Sequence, residues 1–459
     1  MTVDAKASPL ATGTPGEARE RESIPVYVWL MLAYLVTNMF SGHWSELGIP
    51  APLDRAILLA ALTLLYLDPE RDRARWRPIY GVMIFLVLWT TWSALTAGTL
   101  LTDKGFYALL DRIIVPMVML LVGALVFTTP RRRDLLLKTL VPMGLYLGLT
   151  SWFTIVGPRS LVWPRYIITF LDTNPLAAND SRAVGPFLTG EGSGFTMNLC
   201  LFAAGFAVYR FRGLWRWLAL ATIPACLMGV VLTATRSAWL AAALGLVAVS
   251  LLTPVLRRWL IPAGVALVAL GAAALVAVPT VSELVLSRFG TQRSLYDRAN
   301  TYEAGWRALD QHPLFGVGWS TFIDHGVDWV RQSPEYPITT VTIEIHNVFL
   351  SRAVETGVIG GVLWAVICLF GPFIVLLRPD RRTPERYGWW LFTVMAFFAW
   401  LVPTMTSPNP FPLPNTLTWM IAGIAGREFI VRTTGSRTAE PQPAAALDEL
   451  RPATSTREA

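Results

Sequence analysis

About a dozen long apolar runs, most of them closed off by arginines or a turn, constrain this chain more than any motif in it. A run of roughly 20 apolar residues spans the hydrocarbon of a bilayer as a helix, where every backbone N–H and C=O must be satisfied within the segment. The runs fall at 26–40, 53–67, 79–97, 106–127, 135–156, 193–209, 214–233, 238–252, 260–278, 347–377, 389–405 and 417–431. The first two are short, which predicts helices that are tilted or extended at their ends. The run from 347 exceeds what a bilayer requires, which predicts that part of it projects beyond the membrane. The chain is 54% hydrophobic and 15% charged, against roughly 25% charged in soluble proteins. The expected fold class is an all-α polytopic membrane protein of about 12 transmembrane helices.

The arginines set the expected orientation. Alternate connections carry Arg71, Arg73, Arg75 and Arg77; Arg131, Arg132 and Arg133; Arg210, Arg212 and Arg216; Arg257 and Arg258; and Arg378, Arg381, Arg382 and Arg386. The intervening short connections hold almost none, with Lys104 and Arg236 as exceptions. Positive charge is retained in the cytoplasm, so the alternation predicts two cytoplasmic termini. It also excludes a nucleic-acid partner as the reason for the net charge of +7, because the cations mark helix ends instead of covering a folded surface.

Two long connections, 157–192 and 279–345, then fall on the outer face, and loops of this length are usually functional. The expected organisation is a tail at 1–25, helices one to nine over 26–278 with the loop at 157–192, a large loop at 279–345 before the tenth span, helices ten to twelve over 346–433, and a tail at 434–459. Both tails have the composition of disordered segments, and the first is too polar and mixed in charge for a cleavable signal peptide.

Several chemistries are disfavoured. Cys200, Cys226 and Cys368 lie within apolar runs without metal or disulfide spacing, and the four histidines are not paired for a metal. No Gly-Lys-Ser phosphate loop suggests an ATP-driven pump. No cofactor or metal is expected.

Three features could carry chemistry. Arg236, in Thr235-Arg236-Ser237, sits on the face that otherwise avoids arginine. It is either a side chain snorkelling from a helix end or a cation facing an anionic ligand at the outer boundary. The segment 297–309 has helical spacing that puts Arg298, Tyr302, Trp306 and Leu309 along one face. His312-Pro313 should end that helix, and Gly316-Val317-Gly318 should turn after it. With Arg288 and Arg293 before it, the segment reads as a solvated face or as a helix lying on the membrane surface. Third, Ile345-His346-Asn347 stands where the outer loop re-enters the membrane, ahead of Glu355-Thr356-Gly357 and Gly360-Gly361. His346 is either structural or a base, because the positive end of a helix dipole disfavours imidazolium and a neutral ring accepts a proton near pH 7.

At these residues the chain resembles the O-antigen ligase and polymerase superfamily of bacterial membrane glycosyltransferases. Three motifs carry the resemblance: Thr235-Arg236-Ser237; Arg298-x3-Tyr302-x3-Trp306 leading to His312-Pro313-Leu314-Phe315-Gly316-Val317-Gly318; and His346-Asn347-x2-Leu350 leading to Glu355-x-Gly357-x2-Gly360. The resemblance implies a type C-like architecture in the bacterial inner membrane and an inverting, metal-independent transfer at the periplasmic face. The implied donor is a glycan on undecaprenyl diphosphate, and the acceptor is another glycan or the lipid A core. His346 would be the base, and Arg236 and Arg298 would bind the diphosphate. Arg182, Arg288, Arg293, Tyr302, Trp306 and Asn347 are further candidates for donor or acceptor contacts. The stretch Arg182-Ala183-Val184-Gly185-Pro186-Phe187 is similar to the family's Arg…Gly-x-Phe. Glu191-Gly192-Ser193-Gly194 then departs from a Pro-Asn pair found in many relatives, which leaves Arg182 and Glu191 without an assigned role.

The chemistry of such a site is self-consistent. A sugar hydroxyl needs a base, whereas a diphosphate leaving group needs cations more than protons, and arginine forks fit phosphate oxygens. Polymerase and ligase remain open, with polymerase slightly preferred. The rival is a lipid-glycan flippase or transporter, which would usually place its polar site near the bilayer midplane.

Overall fold

The computed structural model describes residues 23–174, 182–290, 293–333, 335, 337–338 and 344–432. The expected tails lie almost wholly outside the described residues. The helices are α1 (Val26–Asn38), α2 (Leu53–Leu67), α3 (Pro78–Thr96), α4 (Asp103–Val126), α5 (Pro130–Ile155), α6 (Tyr166–Thr173), α7 (Gly190–Arg210) and α8 (Leu214–Leu232). They continue with α9 (Arg236–Leu252), α10 (Leu260–Ala277), α11 (Pro279–Gly290), α12 (Arg293–Gln311), α13 (Val348–Phe370), α14 (Pro384–Thr406) and α15 (Pro412–Ala425).

Seven of these, α3, α4, α5, α7, α8, α13 and α14, are long and apolar enough to cross a membrane unaided. Val26–Asn38, Arg236–Leu252 and Leu260–Ala273 are shorter apolar helices. The chain is a multi-pass membrane protein, and large apolar side chains such as Phe85, Leu88, Trp217 and Leu244 point outward from the bundle. Helix starts are written locally. Thr102, Thr129, Thr189 and Thr383 each accept a backbone N–H from the first turn, and Pro78, Pro130, Pro384 and Pro412 stand at the first helical position. Where α4 meets α15, Gly123 lies against the Met420 carbonyl and Gly423 against that of Leu120. Small residues let two membrane helices touch backbone to backbone.

One end of the bundle gathers the arginine clusters. Arg133 pairs with Glu385 at 2.9 Å, Arg210 with Asp134 at 2.9 Å, and Arg382 with Glu428 at 2.7 Å. Arg386 also pairs with Glu428, and Arg427 with Asp72. A two-residue ladder, β1 (Arg73–Ala74) on β2 (Val431–Arg432), ties the first cluster to the last described residues. Tyr387 donates to the Leu252 carbonyl, beside Arg257 and Arg258. The alternation read along the chain is therefore a single physical face.

The run 347–377 does not continue as one projecting rod. The helix α13 kinks at Gly357 (φ 75°, ψ 172°) and stops at Phe370 before Gly371-Pro372. Residues Phe373–Leu377 then form a 3₁₀ turn, with the Phe373 ring 4.9 Å from both Phe397 and Trp400. The kink is filled by the segment after α12. Val317 N–H donates to the Val354 carbonyl at 2.8 Å, Gly318 N–H to that of Glu355 at 3.1 Å, and Val358 N–H to Pro313 at 2.8 Å. Trp89 of α3 supplies a fourth bond, to the Thr356 carbonyl at 2.8 Å. Backbone groups released by a broken membrane helix must find such partners.

The second long connection is mostly helical, α11 and α12. The latter ends at Gln311, ahead of His312-Pro313 as expected. It buries Ala304, Ala308 and Leu309 against α13 and the residues before it, and leaves Trp306 56% exposed. Leu309 and Trp306 thus part company. Small residues at 304, 305 and 308 allow a close approach that an indole would block.

Candidate active site at the bundle end opposite the arginine clusters

Four chain segments meet here. The first turn of α7 brings Glu191, the start of α9 brings Arg236, α12 brings Arg298 and Tyr302, and the segment before α13 brings His346 and Asn347. The loop into α7 is held against the α8–α9 corner, where Ala183 N–H donates to the Leu232 carbonyl at 2.9 Å. This puts Arg182 beside the corner that carries Arg236.

Electrostatics shows which groups share one environment. Burial lowers the pKa of Arg298 below the ordinary guanidinium value, Glu191 opposes that effect and Arg236 adds to it. Burial likewise pushes the His346 imidazole below its ordinary value of 6.5. Arg298 pushes in the same direction, whereas Glu191, the Glu344 carbonyl and Asp297 favour the protonated ring. Glu191, Arg236, Arg298 and His346 therefore form one neighbourhood. Among the described residues, the buried Nε of Arg298 has no hydrogen-bond partner, which leaves a cationic donor able to take an anionic oxygen.

The remaining polar atoms mainly fix geometry. Asn347 caps α13 by accepting from Leu350 N–H at 3.0 Å, and its amide donates to the Tyr302 hydroxyl at 2.9 Å. Tyr302 in turn donates to the Met405 carbonyl at 3.1 Å. The Ser407 hydroxyl donates to Glu191 Oε2 at 2.9 Å. His346 Nδ1 lies 3.0 Å from the Glu344 carbonyl, which can only accept. Nδ1 therefore carries the proton in that bond, and Nε2 of the neutral ring keeps its lone pair.

The structure brings Arg236, Arg298, Tyr302, His346 and Asn347 to one place, with Arg182 on its margin. It turns Trp306 outward. The side chains of Arg288 and Arg293 lie outside the described residues. Among the described residues, no three His, Cys, Asp or Glu side chains are grouped to hold a metal ion.

Two site features escaped the sequence reading. Glu191 had no assigned role there, yet its charge acts on both Arg298 and the His346 imidazole. Arg112 was passed over inside an apolar run, although its guanidinium grips Glu344, two residues before His346. The available signal was an arginine in the interior of a membrane helix, which is a functional hypothesis by default.

Residues 221–365 match the family model described as O-antigen ligase. That window holds Arg236, Arg298, His346 and both halves of the interlock at Gly357. The chain therefore carries a segment similar to that family. It is also 29% identical over 213 residues to the exopolysaccharide production protein ExoQ of Rhizobium meliloti (strain 1021). The match covers 43% of this chain and 48% of that protein, so the chain spans about half the length of the curated relative it matches. Glu191 and Arg112 lie outside the matched residues, although Arg112 bonds Glu344 within them and the charge of Glu191 acts on Arg298 and His346.

Proposed function

We propose that this protein is a membrane glycosyltransferase that moves a glycan from a lipid diphosphate, of the undecaprenyl type, to an acceptor hydroxyl at the periplasmic face of the inner membrane. The observation that carries the reading is the neighbourhood of one neutral imidazole and two guanidinium groups at one end of the bundle. His346 Nε2 takes the proton of the attacking hydroxyl, and a positioned base of this kind contributes roughly 10²–10⁴-fold. The hydroxyl oxygen attacks the anomeric carbon from the side opposite the diphosphate, which inverts that centre. The bond to the diphosphate breaks and its oxygen takes the electron pair. Arg236 and Arg298 stabilise that developing charge, with the unpartnered Nε of Arg298 among the donors. A cation pair of this kind removes the need for a metal in the reaction.

The similarity to an exopolysaccharide production protein favours a polymerase, in which the acceptor is another lipid-linked repeat unit, over a ligase that uses the lipid A core. The test is transfer by purified protein in lipid with a lipid-diphosphate glycan. Free lipid diphosphate should appear one for one with product, chelator should not slow it, and His346→Ala should abolish it without loss of donor binding. Normal turnover by His346→Ala removes the base. Movement of donor across vesicles without bond cleavage would instead make the protein a flippase.

A further inference from the structure

The anchor of the proposed base lies inside the bundle, in a helix that carries none of the three motifs. Pro116 in α4 lacks an N–H, and its ring crowds the carbonyl four residues earlier, that of Arg112. The helix answers with one wide π turn, Leu110–Ile114. That turn directs two neighbouring charges to separate partners. Asp111 takes Arg55 of α2 at 2.6 Å, while Arg112 reaches the segment before α13. There Arg112 Nη1 and Nη2 donate to Glu344 Oε2 and Oε1 at 3.0 and 2.8 Å. The pair is largely buried, at 16% and 25% exposure. Burial opposes ionisation of Glu344. The cation and hydrogen bonds of Arg112, followed by Arg352 and Lys104, outweigh burial and hold the carboxyl below its ordinary value. The same residue, through its carbonyl, receives Nδ1–H of His346.

We propose that Arg112 and Glu344 are positioning residues for His346: their two parallel bonds fix the peptide whose carbonyl holds Nδ1–H, and so keep Nε2 as the lone pair presented to the acceptor hydroxyl. The proposal rests on the reading of His346 as the base. A two-point fork sets both the position and the plane of its partner, which a single ammonium contact does not. Ile345, between the clamped residue and the imidazole, is buried, and Asn347 after it caps α13, so the segment is held on both sides of the ring. A shift of about 1 Å at a catalytic group costs on the order of 10²-fold in rate, which makes such a clamp kinetically visible.

The experiment compares full-length protein in lipid with Arg112→Lys and with the neutral pair Arg112→Met/Glu344→Gln. Removing one partner of a buried ion pair can unfold the protein, whereas replacing both avoids an uncompensated charge. The neutral pair therefore carries the test if Arg112→Lys does not accumulate. Both should lose at least tenfold in kcat with KM changed by less than twofold. The acid limb of kcat should also move to lower pH, because the carbonyl bond that favours the imidazolium is loosened, while Glu191, Arg298 and Asp297 still face the ring. Arg133→Lys, in the Glu385 pair at the other end, should behave as wild type. If His346→Ala is inactive but both variants keep the wild-type kcat and acid limb, the clamp is overturned while the base survives. If His346→Ala turns over normally, the underlying reading fails and the clamp falls with it.

Discussion

Val317 and Val354 are joined by a 2.8 Å hydrogen bond from the amide of the first to the carbonyl of the second. Through that bond the turn after α12 is inserted into the break in α13, so two separate sequence motifs form one joint. The joint fixes how the helix bearing Arg298 sits on the helix that follows His346.

Gly357 is the joint's weak point, because its φ of 75° is a left-handed conformation and a Cβ would overlap the Leu314 carbonyl. Gly357→Ala should therefore destabilise the protein by about 1–3 kcal/mol from backbone strain alone, and more from the overlap. Thermal unfolding in detergent should show a clear drop, accompanied by loss of transfer. Gly264→Ala, in α10 with nothing near its would-be Cβ, is the matched control and should leave the melting temperature unchanged or slightly higher. Equal melting of the two variants would mean that the kink tolerates a side chain.

Much of this was legible along the chain, and what was missed has definite causes. Apolar length and arginine alternation foretold the helices and their common face, because both follow from the cost of charge in hydrocarbon. Pro313 and the two glycines announced a helix stop and a turn. They did not reveal that the turn pairs with α13, since the amides involved have no sequence signature. Helical spacing put Trp306 and Leu309 on one face, but the 100° step between residues leaves the seam's exact position to packing, and Ala304 and Ala308 set it. Arg112 was invisible as a partner because Glu344 lies 232 residues away. Asn347, a candidate ligand contact by sequence, also caps α13 and holds Tyr302.

The pH dependence should follow His346. Burial first, and Arg298 next, lower its pKa, so the neutral ring required of a base persists to below pH 6.5. The acid limb of kcat/KM, which reports the free enzyme, should accordingly lie below 6.5. Glu191 acts in the opposite direction, and Glu191→Gln removes an anion that favours imidazolium. The limb should then shift further toward acid. A pH–rate profile of the two proteins checks both statements, and a limb unmoved by Glu191→Gln would remove that carboxylate from the imidazole's field.

Arginine at 298 should not be replaceable by lysine. The Nε of Arg298 is buried without a partner among the described residues, and lysine has no donor at that position. Arg298→Lys keeps a cation yet should reduce kcat on the order of 10²-fold, the usual cost of losing a donor to developing negative charge. Arg236→Lys should also impair turnover. If a diphosphate is the true ligand, product inhibition by free lipid diphosphate should weaken in both variants. Unchanged kcat and inhibition in Arg236→Lys would leave that residue as a snorkelling side chain at a helix end.

The face carrying His346 should be periplasmic, and cysteine labelling can read this directly. Cys200, Cys226 and Cys368 are buried, so they give little background to a membrane-impermeant thiol reagent. Trp306 is 56% exposed on the candidate-site face, and Tyr209 is 77% exposed beside Arg210 on the arginine-rich face. Positive charge is retained in the cytoplasm, so Trp306→Cys should label in intact spheroplasts, whereas Tyr209→Cys should label only after the membrane is opened. The reverse pattern would put the imidazole and both guanidinium groups in the cytosol, where a donor presented at the periplasmic surface never arrives.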